Sequence, residues 1–280
     1  MNYRTLTTLL APIHGKGEAQ AIARMVMEER FGLSLTELLM GKDNDLSAKE
    51  NDELEKIAFL LAEGHPVQQV LGYADFCGHR FSVSPAVLIP RPETENLVAW
   101  ALEQPAKSYL DLGTGSGCIA ISLALGVPQA RVVAVDISPE ALEVARGNAS
   151  QLGASVTFLE ADILALAEQT DSLQVFSPFE CIVSNPPYIC DSEVSEMTRT
   201  VLDYEPHSAL FVPDDDPLRF YRAIATIAQR HLVLGGRLLV ETNTAWAHET
   251  AKLFGEEGFV ETEVRNDQFG RPRMVGALKA

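Results

Sequence analysis

Residues 108–125, SYLDLGTGSGCIAISLAL, decide the fold, because they predict a strand, a glycine-rich turn and a helix in immediate succession. Glycines in such a turn allow the backbone to approach a ligand closely, and the helix presents its N-terminus to that ligand. The spacing is G-x-G-x-G and differs from the G-x-G-x-x-G of dinucleotide-binding proteins. The turn residues that we expect to contact a ligand are Gly113, Thr114, Gly115, Ser116 and Gly117.

Two further predicted strands lead into acidic residues. Arg131 to Val135 leads into Asp136, which follows Gly113 by close to the ~20 residues that place an acidic residue on ribose hydroxyls. Val156 to Glu160 leads into Asp162. Because ligands bind outside the carboxyl ends of strands in open α/β sheets, the three strand ends together predict one nucleoside pocket.

The segment Asn185-Pro186-Pro187-Tyr188 follows an apolar stretch, Cys181 to Ser184, that predicts a short buried strand. Neither proline has an N–H to donate, so the strand ends there and its carboxyl end is stiffened. Asn185 Oδ1 and the Pro186 carbonyl can each accept one N–H of a planar amide or amino group, and Tyr188 can stack on its flat face. A simple proline turn is the alternative, but it does not explain the flanking Asn and Tyr.

Strands and helices alternate from Tyr109 onward, which predicts an α/β fold with a parallel, doubly wound, Rossmann-like sheet. Predicted helices cover 139–151 and 217–231, and Gly235-Gly236 predicts a turn before the strand that starts at Arg237. The last two predicted strands, 259–264 and 274–278, are joined only by a loop, which permits antiparallel pairing.

The first part of the chain predicts a small bundle of helices. Apolar residues at helical spacing indicate a helix from Glu18 to Phe31, and Ser34 to Leu39 forms a second. Ser47 and Glu50 form a capping box for a third helix, and a fourth runs from Pro66 to Gly72. We expect a helical substrate-recognition domain at 1–75, a hairpin linker around Cys77 and Gly78 at 76–88, and a catalytic domain at 89–280.

Composition favours a soluble cytoplasmic enzyme. The net charge of −17 argues against broad nucleic-acid binding, which depends on basic phosphate contacts. No apolar run approaches the ~18 residues of a membrane span, and the N-terminus has no secretory apolar segment. The four cysteines show no disulfide framework and are predicted to be reduced thiols, and the six histidines show no metal spacing.

The motifs of this chain, taken in order, resemble those of a known family. The ordered motifs Asp111 to Gly117, Asp136, Asp162 and Asn185 to Tyr188 are similar to those of class I S-adenosylmethionine-dependent methyltransferases that act on planar nitrogens. The stretch LIPRPETE at 88–95 resembles one branch, the HemK-type (PrmC family) glutamine methyltransferases of peptide-chain release factors. Further similar segments are Gly64 to Gly72, Glu205-Pro206, Ala209-Leu210, Asp267, Gly270 and Arg273.

The resemblance implies a reaction, a cofactor and roles for residues. It implies methyl transfer from S-adenosylmethionine to the side-chain amide of the glutamine in a Gly-Gly-Gln motif of class 1 release factors, without a metal, a membrane or direct nucleic-acid binding. It places Asp111 near the methionine ammonium and Ile163 against the adenine ring beside Asp162. The residues that it implies for acceptor binding are Asn185, Pro186, Pro187 and Tyr188, together with Arg91 and Glu93.

One departure and three alternatives accompany this resemblance. After the strand that ends at Val240 the family usually has Glu, a variable residue and Gly, whereas this chain has Glu241-Thr242-Asn243. Because Asn adopts left-handed backbone more readily than most residues, we expect the turn to survive. The alternatives are an adenine-N6 DNA methyltransferase, a guanine-N2 rRNA methyltransferase and a non-catalytic cofactor-binding regulator. The first two normally carry a basic, aromatic-rich recognition region, and the third is expected to lose Asn185 or Tyr188.

Overall fold

A computed structural model describes residues 1–168 and 178–280. The chain divides into two compact units. The first comprises Met1–Tyr73 together with Thr198–Tyr204, and the second comprises Ala74–Met197 together with Glu205–Ala280. The first unit therefore draws on two separate stretches of the chain.

The first unit is a bundle of six helices with a core of its own, which includes Leu6, Val26 and Leu54. The predicted capping box is present, since Glu50 accepts from the Ser47 N–H and the Ser47 hydroxyl accepts from the Glu50 N–H. The sequence prediction missed the first helix, which begins after Asn2 as its N-cap. The helices are α1 (Tyr3–His14), α2 (Lys16–Phe31), α3 (Leu35–Leu39), α4 (Ala48–Ala62), α5 (Val67–Leu71) and α10 (Arg199–Tyr204).

Helix α10 lies far from the other five in sequence, and its last residue fixes it in this unit. The Tyr204 hydroxyl donates to the Glu63 carbonyl at 2.9 Å, and Gln69 Nε2 donates to the Tyr204 carbonyl at 2.9 Å. The rings of His65 and Tyr204 have centroids 3.9 Å apart. Tyr204 is thus bonded through its side chain and its main chain to the segment between α4 and the end of α5.

The second unit is built on a seven-stranded sheet of order β10-β11-β9-β6-β3-β4-β5. β9, β6, β3, β4 and β5 are parallel, and β11 is antiparallel to both β9 and β10. The predicted mostly parallel sheet with an antiparallel last strand is therefore confirmed. The sheet strands are β3 (Ser108–Leu112), β4 (Arg131–Asp136), β5 (Thr157–Glu160), β6 (Phe179–Ser184), β9 (Leu232–Glu241), β10 (Phe259–Asn266) and β11 (Pro272–Lys279).

Both faces of this sheet are buried. Leu110 and Leu112 of β3 belong to one apolar cluster, whereas Tyr109 belongs to another, as alternation along a strand requires. A parallel sheet covered on both faces buries both sides of its strands, and all five positions of β3 are buried, including the polar residues Ser108 and Asp111. The helices are α6 (Pro92–Glu103), α7 (Cys118–Gly126), α8 (Pro139–Leu152), α9 (Ile163–Glu168), α11 (Arg219–His231) and α12 (Ala247–Glu256).

The short elements complete the description. The predicted hairpin pairs β1 (Tyr73–Phe76) with β2 (His79–Ser82), and β7 (Ile189–Cys190) pairs with β8 (Phe211–Val212). The predicted turn at Gly235-Gly236 is wrong, because both glycines lie inside β9. Phe179 pairs with Leu232 but Cys181 pairs with Arg237, so the glycines absorb extra residues of β9 as a bulge. No helix of the described residues is long and apolar enough to cross a membrane.

Candidate active site

The glycine turn between β3 and α7 is held tightly at the carboxyl edge of the sheet. Gly113, Gly115 and Gly117 all have positive φ, at 78°, 53° and 82°. A Cβ at Gly117 would lie 2.8 Å from Ile121 Cδ1 and 3.1 Å from Ala145 Cβ of α8, so a larger residue would crowd the turn. The N–H groups of Gly113 and Thr114 both donate to the Val135 carbonyl at 2.9 Å, which fixes the turn to β4.

Asp111 lies on β3 beneath this turn and is fully buried. Its Oδ2 accepts from the Thr114 hydroxyl at 2.7 Å and from the Ala120 N–H at 3.2 Å. Its Oδ1 is buried and has no hydrogen-bond partner among residues 1–168 and 178–280. Burial raises the pKa of Asp111 to about 7, against the lowering effect of these two hydrogen bonds. An inward-facing acceptor without a donor suits a cationic ligand group such as an ammonium.

The acidic residues after β4 and β5 also reach backbone N–H groups. Asp136 Oδ2 accepts from the Gly115 N–H at 2.7 Å, and its Oδ1 accepts from the Ser138 N–H at 3.0 Å. Asp162 Oδ1 accepts from the Leu164 N–H at 2.8 Å at the start of α9. Each carboxylate oxygen has a second lone pair, so both residues retain the capacity to bind ligand hydroxyl or amino groups.

Three of the predicted elements converge on one point of the glycine turn. A Cβ at Gly113 would lie 3.7 Å from Ile163 Cδ1 and 4.0 Å from the main-chain carbonyl oxygen of Asn185. The structure thus brings together the ends of β3, β5 and β6. The sequence analysis assigned the ends of β3, β4 and β5 to one nucleoside pocket and the segment after β6 to the acceptor. Asp136 joins this group through its bond to Gly115.

The segment Asn185 to Tyr188 leaves β6 at the same edge. The Ser184 hydroxyl donates to the Leu112 carbonyl at 2.6 Å and joins the last residue of β6 to β3. Pro186 is buried, and the Tyr188 N–H donates to the Leu210 carbonyl at 3.2 Å. Asn185 is half-buried, and its Nδ2 donates to the Thr94 hydroxyl oxygen at 3.2 Å.

Glu241, at the end of β9, lies behind this segment with only 1 % of its surface exposed. Its Oε1 accepts from the Tyr188 hydroxyl at 3.0 Å, and its Oε2 accepts from the Thr94 hydroxyl at 2.7 Å. Burial raises the pKa of both Glu241 and Tyr188. The guanidinium of Arg273 lies 5.8 Å from the centre of the Tyr188 ring.

The sequence analysis did not assign a role to Thr94 or Glu241. A signal existed for Glu241, since it is an acidic residue at the carboxyl end of a parallel strand, as Asp136 is. No comparable signal identified Thr94, which lies between two glutamates at the start of α6. Its link to Asn185 joins residues 91 positions apart in the sequence.

Arg91 and Glu93 lie at the start of α6. Arg91 Nη2 donates to Glu205 Oε1 at 2.6 Å, and Glu205 Oε2 accepts from the Ile89 N–H at 3.1 Å. Glu93 is half-buried in the first turn, whereas Glu95 accepts from the Cys77 N–H at 2.8 Å and serves the hairpin. The structure therefore separates the roles of Glu93 and Glu95.

The turn after β9 does not use the left-handed backbone that was the reason to expect it to tolerate Asn243. Its φ of −61° and ψ of 138° are extended, and its side chain caps a short helical turn by accepting from the Ala245 N–H at 3.0 Å. Its Nδ2 group donates to the Glu193 carboxylate. Asn243 therefore acts through its capping side chain, and its backbone does not need the left-handed conformation that glycine adopts easily.

Two family models match this chain. A model described as a methyltransferase domain matches residues 103–261, and one described as a PrmC N-terminal domain matches residues 7–72. The first match covers more than half of the chain and contains the glycine turn and Asn185. The second lies within the helical first unit.

Proteins with similar sequences point to the same family as the two family models. The chain is 44 % identical to the release factor glutamine methyltransferase of Bacteroides thetaiotaomicron, over 96 % of this chain and 95 % of that protein. It is 40 % identical to that of Flavobacterium psychrophilum, over 98 % and 97 %. A methyltransferase structure from Pyrococcus furiosus shares the fold, with a TM-score of 0.52 at 16 % identity over 71 % of this chain and 88 % of that one. The chain belongs to the release factor glutamine methyltransferase family.

Proposed function

We propose that this enzyme transfers a methyl group from S-adenosylmethionine to the side-chain amide nitrogen of the glutamine in the Gly-Gly-Gln motif of class 1 release factors, and so tunes translation termination. The observation that carries the proposal is the position of Asn185, beside the glycine turn and at the carboxyl end of β6. An amide acceptor therefore has a partner for its N–H groups next to a nucleoside pocket. The membership of the family supports glutamine as the acceptor.

The residues at the carboxyl edge fit this cofactor. Asp111 Oδ1 is the acceptor for the methionine ammonium, and Asp136 is the acceptor for the ribose hydroxyls. Asp162 binds the adenine amino group, Ile163 covers the ring, and the backbone from Gly113 to Gly117 borders the methionine part. When bound, the cofactor supplies a methyl group on a sulfonium, which departs without help from an acid or a metal.

The acceptor limits the reaction, because the lone pair of an amide nitrogen is delocalised into its carbonyl. The task of the chain is to hold that nitrogen in line with the lone pair turned toward the methyl group. Positioning of this kind can supply ~7–11 kcal/mol, whereas a general base contributes only ~10²–10⁴-fold. We therefore assign positioning to the chain and no general base.

Asn185 and Pro186 perform the positioning. Asn185 Oδ1 and the Pro186 carbonyl each accept one N–H of the acceptor amide and favour a pyramidal nitrogen. Positive charge that develops on the nitrogen strengthens both hydrogen bonds in the transition state. Pro187 stiffens the segment, and Tyr188 covers the amide plane. The transfer leaves S-adenosylhomocysteine as the product of the cofactor, and the methylated nitrogen then loses its extra proton to water.

The proposed partner is a protein. We assign recognition of the release factor to the helical first unit, with Arg91 and Glu93 at the entrance for the acceptor. The PrmC N-terminal domain match over residues 7–72 supports this assignment. The net charge of −17 favours a basic protein partner over nucleic acid, and we place the reaction in the cytoplasm, where release factors act.

The test is transfer of a labelled methyl group to purified candidate release factors, followed by mass mapping of the labelled peptide. We expect label only on the Gly-Gly-Gln peptide, and none when that glutamine is replaced in the release factor. Label on DNA or ribosomal RNA would favour the nucleic-acid alternatives. Binding of cofactor without transfer to any of these acceptors would favour a regulator.

A further inference from the structure

Thr94 and Glu241 form a chain of hydrogen bonds behind Asn185. Glu241 Oε2 lies 2.7 Å from Thr94 Oγ1, and Thr94 Oγ1 lies 3.2 Å from Asn185 Nδ2. Thr94 has only 3 % and Glu241 only 1 % of its surface exposed, so water does not compete for these bonds. These hydrogen bonds therefore connect the interior of the sheet to the Asn185 amide group that faces the acceptor.

The direction of every bond in this chain follows from Glu241. An ionised carboxylate can only accept hydrogen bonds, so the single proton of the Thr94 hydroxyl points at Glu241. The Thr94 oxygen then offers only lone pairs to Asn185, and only an N–H can face it. If the amide were reversed, Asn185 Oδ1 would lie against an oxygen that has no proton to donate.

We propose that Thr94 and Glu241 are positioning residues that set the orientation of the Asn185 amide group, so that Oδ1 and not Nδ2 faces the acceptor. The inference deepens the proposed function, on which it rests. The nitrogen of a glutamine amide carries two N–H groups, so a reversed Asn185 would place N–H against N–H. If the Asn185 amide already has the correct orientation when the acceptor binds, its side chain does not have to rotate before the reaction.

The same carboxylate also holds the second side chain of the segment. Tyr188 donates to Glu241 Oε1 at 3.0 Å, and Tyr221 donates to the Glu241 main-chain carbonyl at 3.2 Å. One carboxylate thus receives the hydroxyl groups of Thr94 and Tyr188. This arrangement fixes the two side chains that flank the prolines relative to each other.

The first test compares Thr94→Val with Thr94→Ser. Valine keeps the shape but lacks the hydroxyl, and we expect kcat to fall by about 10- to 100-fold, as when the partner of a metal ligand is removed. Serine restores the hydroxyl and should restore kcat. Cofactor affinity, measured by calorimetry, should stay unchanged in both variants.

Thr250→Val is the matched control. Thr250 is also buried, and its hydroxyl donates at 2.8 Å to the Trp246 carbonyl at the start of α12. Its replacement removes one hydrogen bond of similar length that involves neither Asn185 nor Glu241. Equal losses of kcat in Thr250→Val and Thr94→Val would overturn the proposal, because the effect would then be general destabilisation.

The second test is a double-mutant cycle with Glu241→Gln. The new amide can donate to Thr94, whose proton is then free to bond Asn185 Oδ1 and to stabilise the reversed amide. We expect Glu241→Gln to lower kcat on its own and to have little further effect in the Thr94→Val background, where no hydroxyl relays its influence. Additive effects on kcat would contradict the relay.

The closing experiment needs neither cofactor nor acceptor. In protein labelled with ¹⁵N-asparagine, the Asn185 side-chain signal is the one absent from Asn185→Ala. We expect one of its two protons to exchange slowly with solvent in the wild type and in Thr94→Ser, and both to exchange fast in Thr94→Val. Fast exchange in the wild type would overturn the inference, whereas slow exchange without methyl transfer would count against the proposed function only.

Discussion

The guanidinium of Arg91 donates to the carboxylate of Glu205 at 2.6 Å, across 114 residues of sequence. The two partners differ in exposure, since the Arg91 side chain is 33 % exposed and the Glu205 side chain only 1 %. Glu205 therefore depends on Arg91 and on the Ile89 N–H for the interactions that water would otherwise provide. The pair fixes the start of α6, which carries Thr94, to the segment that follows α10.

We expect Arg91→Met to lower the free energy of unfolding by roughly 1–3 kcal/mol, less than the ~3–5 kcal/mol of a fully buried pair because Arg91 is partly solvated. Glu205→Gln in the same chain should recover part of the loss, since no buried charge then remains. Urea denaturation measures both. Arg222→Met is the control, because its partner Asp216 is 41 % exposed and little change is expected. If the variant that carries both Arg91→Met and Glu205→Gln is less stable than Arg91→Met alone, the unpaired Glu205 carboxylate is not the cause of the loss.

Asp111 makes the stability of the ligand-free protein depend on pH. Its pKa is about 7 when folded, against ~4 when unfolded, so the folded state binds the proton more tightly. The stabilisation from this proton is full below about pH 4 and is lost as the pH rises through about 7. We expect Asp111→Asn, which cannot titrate, to gain up to roughly 4 kcal/mol relative to the wild type between these values. Denaturation at a series of pH values measures the difference; parallel curves would contradict the shift.

Asn185→Ala should lower kcat by about 10²- to 10³-fold, the loss that follows removal of one transition-state hydrogen bond, with the fold and cofactor affinity retained. Asn185→Asp should also fail, because one carboxylate oxygen would face the Thr94 oxygen, whose proton is given to Glu241. Single-turnover kinetics with saturating acceptor separates the loss of kcat from any change in KM. Near-normal turnover by both variants would mean that another group holds the acceptor.

Asp136→Ala should weaken S-adenosylmethionine binding strongly, because it removes two charge-assisted bonds of ~1.5–3 kcal/mol each and releases the Gly115 N–H. Calorimetry on the folded variant measures the affinity. Asp214→Ala is the control, since Asp214 likewise accepts from a backbone N–H, that of Ser192, but outside the glycine turn. Unchanged affinity in Asp136→Ala would remove Asp136 from the cofactor site.

Glu241 should give kcat an acidic limb. Burial raises its pKa, and Glu93 acts in the same direction, whereas the hydrogen bonds from Thr94 and Tyr188 and the charge of Arg273 lower its pKa. The remaining group that packs on it, Tyr221, stays neutral because burial raises its pKa well above the ordinary value.

A protonated Glu241 can donate to Thr94 and permit the reversed amide, so kcat should be full above its pKa and fall as the pH drops through it. Because that pKa is raised, the fall should begin at a higher pH than an exposed glutamate would give. The profile is recorded at saturating cofactor, so that titration of Asp111 does not enter. Glu241→Gln should lack this limb, and its persistence in that variant would assign it to another group.

The sheet and the convergence of its strand ends were predictable because they depend on local patterns. The apolar run of β3, the glycines after it and the acidic ends of β4 and β5 each carry their own signal. The common edge then follows from the rule that parallel strands align their carboxyl ends.

The remaining features depend on contacts between distant residues. Helix α1 was missed because Pro12 lies inside it and Asn2 is its only clear start signal. Gly235 and Gly236 resemble a turn in sequence, yet they lie inside β9, between Leu232 and Arg237, which both pair with β6. Glu241 shows its role only when β9 is placed beside β6, which brings its carboxylate to Tyr188.

Helix α10 has a consequence for the evolution and engineering of this protein. The first unit is not one continuous stretch of chain, because it takes Thr198–Tyr204 from the middle of the sequence. A chimaera that exchanges only residues 1–73 with a relative would leave Tyr204 opposite a foreign His65 and Gln69. Exchange of the whole first unit between relatives therefore requires three crossovers, one after residue 73 and one on each side of 198–204, and the two stretches are expected to be inherited together.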